Sequence, residues 1–336
     1  MTSPPPRRPR PPPSVGPPAS DRVATTAPPL AAPSRRLAPA ASPAFKAPIL
    51  LAPLLLAGLA CATCAVPAPP PSSHGSARIA SQTVLSDELL WDLGARARAR
   101  VVAVSPLADD PRYSAVAGRW PADRPRLPGT SEALLARAPD LVVLASFTAP
   151  ETRAFIEAHG VATLTLDRFA DFDDLRRHTL ALADAAGDRP AGDALWADYQ
   201  ARLGALAADH TRGRAAAAIS WSDGLVAGAA TSFDAIAAAA GLRNMAAENG
   251  LIGHVDLSLE RLVALDPEVL VIACEPLECH EAERELAARP GISATRAARQ
   301  GGVFALPARD LGSTGAGMIR AAERLQARRI AHTEAP

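Results

Sequence analysis

Apolar and polar positions follow two alternating patterns along most of the chain. Short Val- and Leu-rich runs, such as RVVAVS at 100–105, are too brief and too rich in β-branched residues for helices, and they predict buried strands. Longer segments, such as VLSDELLWDLGA at 84–95, carry apolar residues at helical spacing, with Ser86 and Asp87 near the start and Gly94 at the end. Their alternation predicts a parallel α/β sheet.

One helix–strand unit occurs twice. Residues 132–145 read EALLARAPDLVVLA and residues 260–273 read ERLVALDPEVLVIA, with the glutamate, the proline and the apolar run in register. Each copy predicts a helix that ends at the proline and a short buried strand after it. The copies lie much further apart than the roughly 20–50 residues of a solenoid repeat. The repetition therefore predicts two similar α/β lobes.

The other predicted elements extend this plan in both lobes. In the first lobe, strands are predicted at 77–81, 100–105 and 161–167, a helix at 149–159 and a long loop at 106–129. In the second lobe, strands and helices are predicted at 215–221, 233–242, 303–307 and 313–330, a turn at 222–232, a loop at 244–256, and a loop that becomes a helix over 274–289. Long loops at the ends of parallel strands are where α/β proteins place ligands. A cleft between the lobes is the expected binding site.

Residues 169–210 break the alternation, because helical patterns at 169–187 and 191–210 follow one another without a strand. The second pattern has apolar residues at helical spacing: Leu195, Tyr199, Leu203 and Leu206. About 20 helical residues span roughly 30 Å, the width of a small domain. We interpret this helix as a rigid connector, with an ordinary peripheral helix as the alternative.

The predicted fold is therefore two Rossmann-like α/β lobes joined by a single long helix, with the ligand cleft between the lobes. The N-terminal lobe is expected at 77–187, the connecting helix at 188–210 and the C-terminal lobe at 211–332.

The first 76 residues do not fit this pattern. Residues 1–45 are crowded with Pro, Arg, Ser and Ala, and they predict a segment that is disordered or absent from the mature protein. Lys46, the apolar run 47–62 and the small residues and prolines that follow predict a secretory signal and linker over 46–76. The run is shorter than the roughly 20 residues of a membrane span. A signal this far from the first residue suggests that translation begins further along the chain.

The signal predicts export to the periplasm. Arg35-Arg36 resembles a twin-arginine signal but lies too far from the apolar run. Cys61 and Cys64 suggest a lipidated cysteine, but residues 58–60 lack the leucine expected three positions before it. We therefore expect a soluble periplasmic protein, with a lipid-anchored form as the alternative.

Length and charge restrict the classes of function. The chain of 336 residues, 48% of them hydrophobic, is long enough for two domains of roughly 150 residues. Its 35 basic and 35 acidic residues balance, so no net field attracts nucleic acid or an anionic membrane surface. We expect a monomer whose partners are selected by local sites.

Catalytic motifs are absent from the sequence. It contains no GxSxG elbow, no HExxH helix and no phosphate-binding glycine loop, so we do not expect an enzyme. The segment CEPLECHE at 274–281 gathers two Cys, three Glu and one His. Its spacing matches no standard zinc pattern, so a soft-metal site is less favoured there than a disulfide between Cys274 and Cys279 or two incidental thiols.

Several segments together resemble a known family. The order RIAS, SDELLWDLG, VVAVSPLADDP, GTSEALLARAPDLVVL, a connecting helix, AGAATSFDAIAAAAGLRN and LSLERLVALDPEVLVI is similar to the periplasmic substrate-binding proteins of ABC importers for ferric siderophores, haem and cobalamin. The similarity covers about residues 77–330. It implies modest closure of two bridged lobes on a metal chelate, delivery to an ABC permease in the inner membrane, and no cofactor. An exported enzyme or a signalling protein with the same fold is the alternative.

The resemblance implies two contacts with the permease. In the family, a glutamate on top of each lobe docks onto permease arginines, and the matching residues are Glu132 and Glu260, the first of each copy of the unit. A carboxylate in the first turn of a helix is stabilised by the positive helix end, so either residue also fits a purely structural role.

Candidate ligand contacts are less well defined. Arg126 lies six residues before Glu132, where hydroxamate-siderophore binders of the family carry a ligand-contacting arginine and cobalamin binders a tryptophan. Trp221, at the end of a predicted strand, can present its ring to a large flat ligand or pack in the core. Four further candidates are loop residues that also fit simple solvent exposure: Tyr113, Trp120, His254 and Asp310.

Overall fold

The computed structural model describes residues 77–130, 132–209, 216–222 and 224–334. The predictions for residues 1–76, which concern the N-terminal segment, the signal peptide and lipidation, lie outside the described residues. Within the described part of the chain, no helix is long and apolar enough to cross a membrane.

The N-terminal lobe is built on a parallel four-stranded sheet. Its elements are β1 (Ile79–Ser81), α1 (Val84–Asp92), α2 (Ala95–Arg100), β2 (Val101–Ala103), α3 (Glu132–Leu135), β3 (Leu141–Ala145), α4 (Pro150–Ala158), β4 (Ala162–Leu166) and α5 (Phe172–Ala185), followed by α6 (Arg189–Ala208). The strand order is β2-β1-β3-β4, and all three strand pairs are parallel. Parallel strands place their carboxyl ends at one edge, so the loops after β2, β3 and β4 collect there.

The hydrophobic pattern does not predict α2. Its sequence, ARARAR, has no apolar stripe, and the small side chain of Ala97 supplies its buried position. Alanine and arginine are both strong helix formers. A helix therefore forms between α1 and β2 without a broad apolar face.

The C-terminal lobe is built on a mixed six-stranded sheet. Its elements are β5 (Ala217–Ser222), β6 (Leu225–Ala227), α7 (Ser232–Ala239), β7 (Arg243–Asn244), α8 (Met245–Glu248), β8 (His254–Asp256), α9 (Leu259–Leu265), β9 (Val269–Cys274), α10 (Cys279–Ala288), a 3-10 helix (Ile292–Ala294), α11 (Arg296–Arg299), β10 (Val303–Pro307), α12 (Ala308–Leu311) and α13 (Gly317–Glu334). The strand order is β10-β9-β5-β6-β8, and β7 also pairs with β5. The pairs that involve β7, β9 and β10 are parallel, whereas β6 pairs antiparallel with β5 and β8.

Strands β6 and β8 correct the interpretation of 222–232 as a turn and 244–256 as a loop. The chain turns back after β5 so that Trp221 pairs with Val226, and β8 then pairs with β6. Each strand has three residues and adjoins a glycine, so neither shows a clear period. A Cβ on Gly228 would overlap the carbonyl oxygen of Leu251, so this close approach of two backbone segments requires glycine.

The repeated unit forms equivalent structure in both lobes. α3 and α9 precede β3 and β9, which are inner strands of their sheets. Ala138 and Asp266 occupy matching positions just before the prolines, and both have positive φ, 45° and 48°. Non-glycine residues rarely take this left-handed conformation, so the shared geometry supports the use of one unit twice. α3 has four residues and α9 seven, so the first copy has the shorter helix.

The inner strands β3 and β9 are buried on both faces of their sheets. In β3, Val143 packs in the cluster on one face and Val142 in the cluster on the other. In β9, Val271 and Leu270 divide between two clusters in the same way. Strands covered on both faces are continuous apolar runs in the sequence, which explains why the repeated unit is visible there.

Helix α6 contacts the hydrophobic clusters of both lobes. Leu195 and Tyr199 pack in the cluster on the first sheet, and Leu206 packs in the cluster on the second. The Nε of Arg202 donates to Oε1 of Glu323 in α13 at 2.8 Å. With 20 residues, α6 is long enough to span a small domain, and its role as the single connecting helix stays a prediction.

Candidate ligand-binding cleft

A cleft of about 1010 Å³ lies between the two lobes. The first lobe contributes α1 and the loops after β2 and β4, and the second contributes β5, β6 and the residues that follow β6 and β10. Small-molecule sites measure roughly 300–1,000 Å³. The cleft is therefore large enough for a bulky cargo.

Large apolar side chains cover much of the cleft. The aromatic residues Phe169, Phe233 and Trp221 belong to its lining, and Phe233 and Trp221 are 3% and 5% exposed. Leu225 also lines it and is 40% exposed, and the ring of Phe147, which is 80% exposed, lies 5.8 Å from that of Phe169. Exposed apolar side chains gathered at one place mark binding sites, and these suit a mainly apolar cargo.

Tyr113 presents its phenol to the cleft from the loop after β2. The residue is 49% exposed and lines the cleft. Among the described residues, its hydroxyl has no hydrogen-bond partner. The guanidinium of Arg112 lies 5.4 Å from the centre of its ring and pairs with Asp110 at 2.6 Å. The phenol oxygen is therefore free to bind a cargo.

Two buried carboxylates of α1 hold this loop. Asp87 accepts hydrogen bonds from the Ser105 hydroxyl at 2.5 Å and the Ser105 N–H at 3.2 Å, and Glu88 accepts one from the Ala115 N–H at 2.7 Å. Burial raises the pKa of Asp87 to about 6, although the Ser105 hydrogen bonds act in the opposite direction, and burial raises the pKa of Glu88 to about 7. Tyr113 thus lies between two anchored points.

Arg126 closes the far end of the same loop. Its guanidinium donates to the carbonyl oxygens of Pro121, Trp120 and Arg124 at distances of 2.7 to 3.0 Å, and it pairs with Asp109 at 2.7 Å. The hydrogen bond from Arg126 lowers the pKa of the Asp109 carboxyl. Because Arg126 lies outside the lining of the cleft, the structure favours a role in holding the loop over the expected ligand contact.

Replacing Arg126 with glutamine tests this role. We expect the Arg126→Gln variant to lose about 1–3 kcal/mol of unfolding free energy, because several backbone carbonyls lose their donor. Chemical denaturation measures the change. Arg124→Gln is the matched control, since the Arg124 side chain pairs with its neighbour Asp123. Unchanged stability together with lost cargo binding would instead support a direct ligand contact.

Trp120 and Asp310 are also outside the lining of the cleft. Trp120 is 3% exposed and packs edge-on against Trp91, with ring centres 5.1 Å apart. Asp310 is 1% exposed and accepts hydrogen bonds from Arg320 at 2.7 Å and Arg324 at 3.2 Å. Both side chains are buried, so their position gives no support to the expected ligand contacts, which stay predictions.

Trp221 and His254 line the cleft from the second lobe. Trp221 is 5% exposed and belongs to a core cluster, and the guanidinium of Arg289 lies 5.2 Å from its ring, so this residue both packs in the core and borders the cleft. His254 is an exposed residue of β8. Together with Tyr113, these are the sequence candidates that the fold brings to one site.

Two arginines that the sequence pattern does not single out also line the cleft. Arg168 follows β4 in the first lobe, and Arg309 follows β10 in the second. Ligand sites of α/β proteins collect residues directly after parallel strands. Their location just after predicted parallel strands is the sequence feature by which both arginines could have been identified.

Glu132 and Glu260 are exposed residues in the first turns of α3 and α9. Ser258 caps α9, since its hydroxyl accepts a hydrogen bond from the Arg261 N–H at 3.3 Å. Hydrogen bonds from its own N–H and from the Ser258 hydroxyl lower the pKa of Glu260. Both side chains are accessible to a partner, and the docking role stays a prediction.

A disulfide joins Cys274, the last residue of β9, to Cys279, the first residue of α10. Of the alternatives for these two thiols, the structure therefore supports the disulfide. Within the described part of the chain, no group of three or more His, Cys, Asp and Glu side chains is arranged to hold a metal ion. The bond closes the loop beside Ala273, which lines the cleft.

Comparison with known proteins gives a family match over most of the folded chain. The family model for periplasmic binding proteins matches residues 79–309. No curated protein matches the sequence.

Several solved structures share the fold. The match to the periplasmic heme-binding protein RhuT from Roseiflexus sp. RS-1 has 27% identity and a TM-score of 0.65, and it covers 77% of this chain and 100% of that chain. A periplasmic heme-binding protein from Pseudomonas aeruginosa matches with 27% identity and a TM-score of 0.62, over 75% of this chain and 91% of that chain. The periplasmic vitamin B12 binding protein BtuF of Vibrio cholerae matches with 17% identity and a TM-score of 0.62, over 77% and 99%, and shows the fold alone.

Proposed function

Because the chain belongs to the periplasmic binding protein family, whose members are transport proteins and not enzymes, we propose that it is a periplasmic receptor for haem. It holds the chelate between its two lobes and delivers it to an ABC permease in the inner membrane.

One observation carries the choice of haem: Tyr113, which is 49% exposed, lines the cleft together with the aromatic residues Trp221, Phe169 and Phe233. Tyrosine is one of the side chains that bind haem iron in proteins. Aromatic walls suit the apolar faces of a macrocycle. The 27% identity to two proteins described as heme-binding supports the same cargo.

Ferric siderophores and cobalamin fit the cleft less well. A siderophore surrounds its iron with its own oxygen atoms, so it has no need of the free phenol of Tyr113. The arginine expected to contact such a ligand, Arg126, is engaged within its own loop. The similarity to a cobalamin-binding protein is limited to the fold.

Glu132 and Glu260 are the proposed contacts with the permease. They are the first residues of the equivalent helix–strand units in the two lobes, and both are exposed. Two fixed carboxylates, one on each lobe, suit charge-assisted hydrogen bonds to arginines of a permease. The signal predicted at 46–76 supports export to the compartment where such a permease receives its cargo.

Titration with three cargo classes tests the proposal. The exported protein is mixed in turn with hemin, cyanocobalamin and the ferric hydroxamate ferrichrome, and binding is followed by absorbance and by calorimetry. We expect hemin to bind with a dissociation constant of about 1 μM or lower, the range of a specific receptor, with a shifted Soret band. The other two compounds are expected to give no heat of binding. Binding of cyanocobalamin or ferrichrome without binding of hemin would refute haem as the cargo.

A further inference from the structure

Arg309 is a half-buried cation in the cleft, and it has no carboxylate partner within the described part of the chain. It lies in α12, directly after β10, and lines the cleft. Among the described residues, no carboxylate oxygen lies within the 4.0 Å ion-pair distance of its guanidinium. Its side-chain hydrogen bond runs from Nη1 to the carbonyl oxygen of Pro111 at 3.5 Å. A partly buried charge is costly unless it is paired, so this position favours an anionic group from outside the protein.

Two carboxylates that share a pocket lining with Arg309, those of Asp310 and Glu88, are engaged elsewhere. Asp310 accepts hydrogen bonds from Arg320 and Arg324. Glu88, which also lines the cleft, accepts a hydrogen bond from the Ala115 N–H. Burial raises the pKa of Glu88 to about 7, which reduces its negative charge at neutral pH. Neither carboxylate therefore forms an ion pair with Arg309.

The hydrogen bond of Arg309 also crosses between the lobes. Pro111 belongs to the first lobe and lies two residues before Tyr113. At 3.5 Å the bond is longer than a typical N–H···O bond, so little is lost when the guanidinium turns to another acceptor. Arginine binds carboxylates through shorter, charge-assisted bonds. A cargo carboxylate near Tyr113 thus offers Arg309 a better acceptor than the carbonyl of Pro111.

Arg168 provides a second cation, on the part of the cleft that the first lobe contributes, and we expect its contribution to binding to be smaller. Its side chain is 70% exposed, and its Nε lies 3.6 Å from Oδ1 of Asp174. The same carboxylate pairs more closely with Arg177 at 2.7 Å and accepts the Ala170 N–H at 2.9 Å. Arg168 is therefore loosely held and able to turn toward a cargo.

We propose that Arg309, assisted by Arg168, binds carboxylates on the edge of the cargo, so that the cleft selects planar chelates with free carboxylates over those with neutral edges. This specificity rests on the proposed function, because haem carries two propionate groups on one edge of its ring. Arg168 comes from the first lobe and Arg309 from the second, so each lobe supplies one cation to the lining of the cleft.

Hemin and its dimethyl ester are the two probes for this specificity, since they differ in the charge of the edge and share the iron and the ring. We expect the unaltered protein to bind hemin about tenfold more tightly than the ester, the effect of one well-placed charge-assisted contact. In Arg309→Gln, hemin affinity falls about tenfold while ester affinity stays the same. Arg168→Gln loses about threefold for hemin, because that side chain is more exposed.

Arg284→Gln is the matched control. Arg284 lies on the surface of α10 in the second lobe, pairs with Glu281 and does not line the cleft. We expect this variant to bind both probes as the unaltered protein does. Arg309→Lys keeps the charge without the planar fork and is expected to retain part of the preference for hemin.

Each result decides a separate point. Equal affinity of the unaltered protein for hemin and ester overturns the carboxylate specificity while haem remains the cargo, and this comparison needs no variant to fold. Equal weakening of both probes by Arg309→Gln also overturns it, because Arg309 then acts through its contact with Pro111. Failure of both probes to bind overturns the proposed function and this specificity together.

Discussion

Hemin is expected to bind the Tyr113→Phe variant on the order of 100-fold more weakly than the unaltered protein, a loss of about 2.7 kcal/mol. The substitution removes the phenol oxygen, which is free in the cleft, and keeps the aromatic ring and its packing. A haem held by the apolar walls alone loses its protein ligand on the iron. Titration followed at the Soret band measures both the affinity and the change in the environment of the iron.

The second tyrosine of the chain provides a matched control. Tyr199 is 2% exposed in α6, its hydroxyl lies 3.5 Å from Asp92, and it does not line the cleft. We expect Tyr199→Phe to keep the hemin affinity and spectrum of the unaltered protein. An unchanged spectrum in Tyr113→Phe, together with loss of hemin binding in His254→Ala, would indicate that the iron ligand lies in the second lobe. That outcome would contradict Tyr113 as the iron ligand.

Reversing the charge at Glu132 and Glu260 together is expected to lower haem uptake at least about tenfold, because both lobes then repel the permease arginines. Hemin affinity of the purified protein should stay the same, since neither residue lines the cleft. The measurement is uptake of labelled hemin by cells in which the Glu132→Arg, Glu260→Arg double variant replaces the native protein. Each single variant is expected to show an intermediate rate.

A control double variant separates docking from general surface charge. Glu151 and Glu281 are exposed, first-turn residues of α4 and α10, one in each lobe. The Glu151→Arg, Glu281→Arg protein carries the same change in net charge and is expected to support normal uptake. Normal uptake by the Glu132 and Glu260 variant would leave both residues with a helix-terminus role only.

The parts of the fold that the sequence predicts well are those with long apolar patterns. β3 and β9 are buried on both faces, and the two copies of their unit share residue types as well as backbone geometry at Ala138 and Asp266. β6 and β8 escape prediction because a strand of three residues beside glycine has no measurable period. Their pairing is a tertiary property, set by the return of the chain after β5.

For the site, residue type and loop position predict candidates but not the direction of a side chain. Tyr113 and Trp120 belong to one loop, yet Tyr113 faces the cleft while Trp120 packs on Trp91 of α1. The sequence pattern singles out Arg126 as a ligand candidate and does not single out Arg309. The first is engaged by Asp109 in its own loop, and the second has no carboxylate partner within the described part of the chain. Such differences depend on partners distant in sequence.

Because of the Cys274–Cys279 disulfide, the covalent state of the loop beside the cleft depends on the compartment in which the protein is produced. Disulfides persist in oxidising compartments and are rare in the cytosol. A preparation from a reducing cytoplasm therefore carries two free thiols beside Ala273, and thiolates bind soft metal ions. Such a preparation is expected to bind soft metal ions that the oxidised protein does not bind. Protein for measurements of cargo affinity should therefore be produced by export to the periplasm of the expression host.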